Sequence, residues 1–348
     1  MLENLNSNVG AWLSGGPDDD VVVSSRVRLA RNVEGFPFLT RAGKQQVARL
    51  EEILRCKILS CDFGRPLSYW RLDQMDAVHR QLLVERHLIA RDHAIADWVR
   101  GVAFDAGERL SLMVNEEDHL RIQVLGGGLR LEESWAEADR ADDVLAAVVP
   151  YAFSARYGYL TACPTNVGTG MRASVMVHLP ALVMAQEMEK AVELARGRRM
   201  AVRGLYGEGT HASADLYQLS NQATLGVSER EILEEVGDAV VAVMEMEREA
   251  RNRFLQEQAA NLTERVERAL DLLRTARFIS SEEALHLLSQ VRLGVLLGLL
   301  KNVDPTVLRN LLLLTLPAHL QTMEGRDLDT LERDETRAGY LRERLGVR

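Results

Sequence analysis

Residues 110–125 read LSLMVNEEDHLRIQVL. Leu110, Leu112 and Val114 alternate before the centre of this stretch, and Leu120, Ile122 and Val124 alternate after it. A period of two marks strands with one buried face. Between them, Asn115 to Arg121 gather Glu116, Glu117 and Asp118 beside His119 and Arg121. The stretch predicts two strands joined by an acidic turn, where a scaffold can hold charged groups rigidly. Like charges repel unless cations face them, so the natural partner is a cationic substrate. Read on its own, the stretch is more simply a solvated acidic hairpin.

Working outward, strand patterns recur at 158–162, 173–178, 199–203 and 216–220, with helical periodicity at 42–58, 72–91, 131–148 and 180–196. Residues 17–40 read as turn-rich and partly extended. Strands mixed with segregated helices predict an α+β fold built on an antiparallel sheet. The texture changes after residue 226. Ser228-Glu229-Arg230-Glu231 is a capping box opening a helix through about residue 257, and Ser280-Ser281-Glu282-Glu283 opens another. From there on only helices are expected. Two domains follow: residues 1–255, carrying the sheet, and a small all-α domain over 256–348. Leucine-rich faces such as Leu285, Leu288 and Leu311 to Leu314 suggest burial against another chain.

The 348 residues carry a formal net charge of −9 and 47% apolar residues. That supports a sizeable core and argues against direct nucleic-acid binding. Cys56, Cys61 and Cys163 have no zinc spacing and suggest a reducing cytoplasm. Cys56 and Cys61 are expected in the core. The acidic N-terminus has no apolar signal region. The apolar run Leu293 to Leu300 is too short for a bilayer, so it is expected as a buried helix and no membrane association is expected.

Further constellations carry chemistry. In Ser24-Ser25-Arg26-Val27-Arg28 the two arginines alternate with apolar residues, so an extended strand points both to one face. Paired guanidinium groups clamp phosphate, although an edge strand protected by charge has the same pattern. Arg121, Arg172 and Arg203 also lie by strand ends, the last two beside glycines. Five such arginines in an acidic protein suggest a bound polyanion. There is no Walker A or kinase-type glycine loop, so a nucleotide would be held by arginines. Cys163 precedes a Pro/Gly-rich loop, either as a small buried residue or as a thiolate beside cations.

Taken together, SSRVR-x-x-R, NEEDHLR, CPTN-x-GTG-x-RASV and RG-x-x-GE, in that order, resemble the ATP:guanidino phosphotransferases, the phosphagen kinases. The resemblance covers roughly residues 15–255. It implies an ATP-dependent kinase with a phosphagen-kinase-type catalytic domain and a guanidinium acceptor. It implies Glu117 as base, Glu208 as its partner and Cys163 as a third anionic edge. It also implies ATP contacts at Ser25, Arg26, Arg28, Arg121, Arg172 and Arg203, with Mg²⁺ on the phosphates and no protein ligand assigned to the metal. Glu116, Asp118 and His119 are expected to position the others. Small-guanidine members carry a helical domain ahead of the SSRVR strand, for which this sequence has no room. They also carry a nucleotide-contacting histidine where this chain has Phe104-Asp105-Ala106.

The helical tail contains Arg333-Asp334-Glu335-Thr336-Arg337-Ala338. This arrangement is similar to the bacterial branch that phosphorylates arginine side chains within proteins. There Arg333, Asp334, Arg337 and Ala338 would form an allosteric phosphoarginine-binding pocket in a dimerisation domain. By the same resemblance the expected partners are accessible protein arginines (a heat-shock repressor among them), a zinc-binding activator protein, a Clp-type protease acting on tagged products, and a second copy in a dimer or larger oligomer. The setting would be a cytoplasmic stress response. The alternatives are a small-molecule guanidino phosphagen kinase and a phosphoarginine-binding adaptor without activity.

Overall fold

The computed structural model describes residues 9–95, 98–204 and 213–346. The elements run β1 (Val22–Arg31), α1 (Lys44–Ser60), β2 (Leu67–Arg71), α2 (Ala77–Glu85), α3 (Arg91–Ala94), β3 (Gly101–Asp105), β4 (Leu110–Val114) and β5 (Leu120–Gly127). They continue α4 (Leu131–Ala146), β6 (Phe153–Ser154), β7 (Gly158–Tyr159), β8 (Met171–His178), α5 (Pro180–Met184), α6 (Met188–Gly197), β9 (Met200–Gly204) and β10 (Leu216–Asn221). The rest is helical: α7 (Glu229–Glu257), α8 (Ala259–Thr275), α9 (Ser281–Leu296), α10 (Pro305–Leu314), α11 (Pro317–Glu324) and α12 (Thr330–Leu345).

Eight strands form one antiparallel sheet in the order β2-β3-β4-β5-β1-β8-β10-β9. The fold is α+β, as the strand pattern predicts. Alternation gives the sheet two unlike faces. Leu112, Val114, Ile122, Val124, Val27, Leu29, Ala173 and Val175 form the apolar face, buried under α1, α4, α6 and α7. The opposite face carries Arg121, Gln123, Arg28, Arg172, Ser174, Ser220 and Arg203 in adjoining registers. Its two flanks are covered: Val102, Phe104 and Met113 pack under α2, and Leu125, Met176 and Leu216 pack under the C-terminal helices. The strip of arginines between them remains as the floor of a cleft.

Several elements differ from the sequence expectation. The stretch 180–196 breaks into α5 and α6, with Gln186 at φ 57 between them. The stretch 72–91 keeps only α2 as a sizeable helix, and the 158–162 strand keeps only the two residues of β7. Strands β2 and β3 were not expected; the half-buried Leu67–Arg71 does not stand out by composition. Residues 293–300 are not one helix, because α9 ends at Leu296 and Gly298 turns the chain at φ 72. Cys56 is exposed and Cys61 half-buried, so neither is a core residue. The leucines of the tail are consumed within the chain: Leu285, Leu288, Leu311 and Leu313 share a core with Trp12, Met176 and Leu216. Among the described residues, no helix is long and apolar enough to cross a membrane.

Buried polar groups tie the tail to the sheet. Helix α11 has no side-chain cap of its own. The Glu85 carboxylate supplies one from α2, accepting from the backbone N–H groups of Ala318 at 2.9 Å and His319 at 3.2 Å. A carboxylate there meets both the orphan donors and the positive end of the helix dipole. Beside it, Arg86 forms a fully buried ion pair with Glu108 at 2.6 Å.

Candidate active site

The cleft has a volume of about 990 Å³. Arg28, Arg121, Arg172, Arg203, Glu116, Glu117 and Cys163 all line it. These seven sequence-predicted groups, scattered from Arg28 to Arg203 along the chain, therefore meet in one place. Antiparallel register does this: Arg28 lies opposite Arg172 across β1–β8, and Ala30 opposite Arg121 across β1–β5.

The cations crowd one another. Burial, then Arg26, Arg121 and Arg172, pushes the Arg28 guanidinium well below its ordinary pKa. Burial, then Arg203 and Arg121, lowers that of Arg172. The Nε atoms of Arg28 and Arg172 are buried without a hydrogen-bond partner. Buried, unpaired like charges are unfavourable unless an anion arrives. Arg26 lies on the same face but outside the cleft lining. It donates to Gln218 Oε1 at 2.6 Å and to Ser174 Oγ at 3.3 Å, and burial, Arg121 and Arg172 bring its pKa down to about 10.

Ser25 does not join them. Its neighbours along β1 face the cleft side, so its own hydroxyl points the other way. There it donates to the Gly128 carbonyl at 2.9 Å and accepts from the Arg130 N–H at 2.9 Å. The side chain expected on ATP instead fastens the β5–α4 turn.

The acidic turn divides its labour. Asn115 takes φ 59, the left-handed turn conformation that asparagine tolerates, and donates to the carbonyls of Val47 at 3.1 Å and Val99 at 3.0 Å. Asp118 is fully buried and accepts from Asn32 Nδ2 and the Ala162 N–H, both at 2.7 Å. His119 is also buried. Its Nδ1 accepts from the Val33 N–H at 3.0 Å and its Nε2 donates to the Pro37 carbonyl at 3.0 Å, and burial lowers its pKa. His119 uses both ring nitrogens and Asp118 uses Oδ1 in joining three loops, while Asp118 Oδ2 is buried without a hydrogen-bond partner. Only Glu117 projects, with its side chain 46% exposed. Arg121 bridges Glu116 at 2.9 Å and Glu117 at 3.2 Å. Burial, reinforced by Asp118 and Glu116 against the pull of Arg121, raises the Glu117 pKa.

Cys163 Sγ lies 3.0 Å from Thr165 Oγ1 at the start of the loop that returns to β8. The glycines of that loop serve the backbone. A Cβ on Gly168, at φ 112, would lie 2.1 Å from the Thr224 carbonyl oxygen. One on Gly170, at φ 65, would lie 2.6 Å from that of Ala30. They allow chain to pack on chain. Glu208 lies outside the described residues. Phe104 is buried in the α2 core, and Asp105 caps its turn by accepting from the Arg109 and Leu110 N–H groups.

The sequence reading missed a small cavity beside Arg26, lined by Trp12, Ser24, His87 and Gln218 among others. His87 follows α2 at φ 58 and stacks edge-on with Trp12 at 4.5 Å. Trp12 Nε1 and His87 Nε2 are buried without partners. These residues come from separate segments, and no local pattern announces them.

In the tail, α12 carries all four expected residues, but unequally exposed. Ala338 is in the core, and Arg337 is 1% exposed. Arg337 donates to the carbonyls of Thr315 and Ile279, each at 2.8 Å, and to Asp334 at 2.6 Å. Arg333 is half-buried and donates to the Leu328 carbonyl at 3.1 Å and Thr330 Oγ1 at 3.2 Å.

Comparison with known proteins agrees with this geometry. Residues 50–250 match the ATP:guanido phosphotransferase C-terminal catalytic domain, and residues 259–348 match the protein-arginine kinase McsB C-terminal domain. The chain is 45% identical to a protein-arginine kinase of Halothermothrix orenii, over 100% of this chain and 99% of that one. It is also 45% identical to one of Symbiobacterium thermophilum, over 97% and 96%. Among solved structures it resembles a lombricine kinase, with 27% identity, TM-score 0.59, and 68% of this chain and 69% of that one covered. It also resembles the duplicated taurocyamine kinase of Schistosoma mansoni with transition-state-analogue components, with 29% identity and TM-score 0.62, over 69% of this chain and 36% of that one. A sheet floor of crowded arginines, an acidic turn at its end and full-length relatives of one kind lead to one assignment: the chain belongs to the ATP:guanido phosphotransferase family, and within it to the protein-arginine kinases.

Proposed function

We propose that the protein transfers the γ-phosphoryl group of MgATP to arginine guanidinium groups on other proteins. The observation that carries the chemistry is the segregation of charge in one cleft. Arg28, Arg172 and Arg203 form a cationic floor, and Glu117 and Cys163 line the same space. Burial and then mutual repulsion lower the pKa of Arg28 and Arg172, and a bound triphosphate relieves the repulsion. Phosphoryl transfer depends mostly on such positioning and charge stabilisation. Mg²⁺ enters with ATP, held by phosphate and water oxygens.

A guanidinium is protonated at neutral pH and is a poor nucleophile. Glu117 orients one edge of it and takes the departing proton as the N–P bond forms and the bond from phosphorus to the ADP oxygen breaks. Glu208 is its partner carboxylate in this scheme, and Cys163 borders the acceptor. The unpartnered ring nitrogens of Trp12 and His87 suit the edge of a base. Their cavity is about 10 Å³, the size of one water, so a base reaches them only if the surrounding side chains shift. His87→Ala is expected to raise the KM for ATP severalfold with little change in kcat.

The test is mass spectrometry under non-acidic conditions, because the N–P bond is acid-labile. The protein is incubated with MgATP and a disordered, arginine-containing protein, with free L-arginine in parallel. Phosphate on protein arginine is expected. Phosphate on free arginine only would convert the reading to a small-molecule guanidino kinase.

A phosphoarginine pocket on α12 belongs to the same proposal, with Arg333 as its accessible cation. Arg337→Ala strips a donor from two buried carbonyls, so a loss of about 1–3 kcal/mol in stability is expected as well as weaker binding. Arg333→Ala separates the two effects. Phosphoarginine affinity should fall in titration calorimetry while the unfolding midpoint holds; unchanged affinity would remove Arg333 from the pocket. In this reading the protein acts in the cytoplasm.

A further inference from the structure

One wall of the cleft is unused by the chemistry above. Asp92 and Trp98 line it, together with Leu39 and Thr40. Asp92 is exposed, and Trp98 is 36% exposed. The backbone that carries them is braced, and so is the Trp98 ring. Asn115 of the acidic turn donates to the Val99 carbonyl at 3.0 Å, which fixes this wall to the residues flanking Glu117. Arg100 donates to the Ile95 carbonyl at 2.9 Å and to the Asp92 carbonyl. Buried His93, on α3 between them, donates from Nε2 to the Gly101 carbonyl at 2.9 Å. The Arg100 guanidinium packs on the Trp98 ring, 4.8 Å from its centroid. An indole held in place by a cation and still partly open to a cleft is a preformed platform, and aromatic platforms bind chain segments at little entropic expense.

This wall lines the same cleft as Glu117. An acceptor arginine reaching Glu117 carries neighbours spaced about 3.8 Å along its backbone. Those neighbours must cross the braced wall. A carboxylate at Asp92 attracts a basic neighbour and repels an acidic one.

We infer that Asp92 and Trp98 form a recognition lip for the polypeptide around the acceptor arginine, favouring basic over acidic neighbours. This rests on the protein-acceptor reading and specifies which protein segments it takes. Trp98 supports the peptide stem, and Asp92 reads the charge of the flanking residue.

The experiment uses the full chain, saturating MgATP and two peptides of one arginine each, flanked by lysine or by glutamate. Free L-arginine is the third acceptor. For the wild type, a KM about threefold to fivefold lower for the lysine-flanked peptide is expected, the scale of one exposed charge pair. Asp92→Lys should reverse that preference. Trp98→Ala should raise the KM for both peptides about fivefold and leave the KM for ATP unmoved. A peptide ratio unmoved by Asp92→Lys overturns the assignment. So does a Trp98→Ala effect confined to kcat or shared by ATP, which would mark a structural role. Wild-type activity on free arginine and neither peptide would overturn the protein-acceptor reading, and the lip with it. Activity on both peptides with no shift in the variants overturns the lip only.

Discussion

Glu117→Gln is expected to lower kcat by about 10²- to 10⁴-fold, the usual contribution of a positioned general base. The amide keeps the size of the side chain but cannot take a proton from the attacking nitrogen. The KM for ATP should change little, because the arginines on the cleft floor are untouched. Folding should also survive. Glu117 projects from its turn, whereas its neighbours Asp118 and His119 hold the turn together. Substitutions at such exposed positions usually shift stability by less than about 0.5 kcal/mol. The pH profile gives an independent check. Burial raises the Glu117 pKa, so its proton-accepting form is lost earlier on acidification than an ordinary carboxylate would be. Wild-type kcat should therefore fall as pH drops through that raised value and be retained above it. The residual activity of Glu117→Gln should lack this acid limb. A variant retaining more than a tenth of kcat, or keeping the limb, would move the base elsewhere.

Arg86→Met is expected to destabilise the protein by about 3–5 kcal/mol, read from the denaturant midpoint, because it leaves a buried carboxylate uncompensated. Both members of the Arg86–Glu108 pair have 0% side-chain exposure. Arg86 Nη1 also lies 3.2 Å from His319 Nε2, and His319 Nδ1 meets Glu85 at 2.8 Å. Burial lowers the His319 pKa, in keeping with a neutral ring that donates to Glu85 and accepts from Arg86. Removing Arg86 therefore strips charge balance from the junction between α2 and α11. The double variant Arg86→Met/Glu108→Gln should recover much of the loss, since replacing both partners removes the stranded charge. A single-variant loss below about 1 kcal/mol would mean that water reaches the junction.

The strands that carry the chemistry were legible because their two faces differ. Val27, Leu29, Ile122 and Val124 alternate with Arg26, Arg28, Arg121 and Gln123, and the sheet keeps that alternation residue for residue. The capping boxes at Ser228 and Asp329 form with both reciprocal bonds. The first was read in the sequence because its signal lies within four residues. Strands β2 and β3 escaped because their residues are half-buried throughout or wholly buried, so period two is lost.

The sequence by itself determined which residue types the reaction has at its disposal. It fixed the one-face arrangement of the arginines, the acidic turn and the helical tail, all of which follow from spacing along the chain. Tertiary structure decided what each charge does. Ser25 and Arg26 are neighbours, yet one fastens a turn and the other reaches Gln218 on the opposite face of the sheet. Glu117 and Asp118 are neighbours, yet one projects into a cleft and the other is buried between loops. Arg337 is expected in a phosphoarginine pocket but spends its donors on the carbonyls of Thr315 and Ile279. The reason is physical. A charged side chain takes its role from which donors, acceptors and solvent surround it, and those partners come from segments far away in sequence, joined only when the sheet and its helices pack.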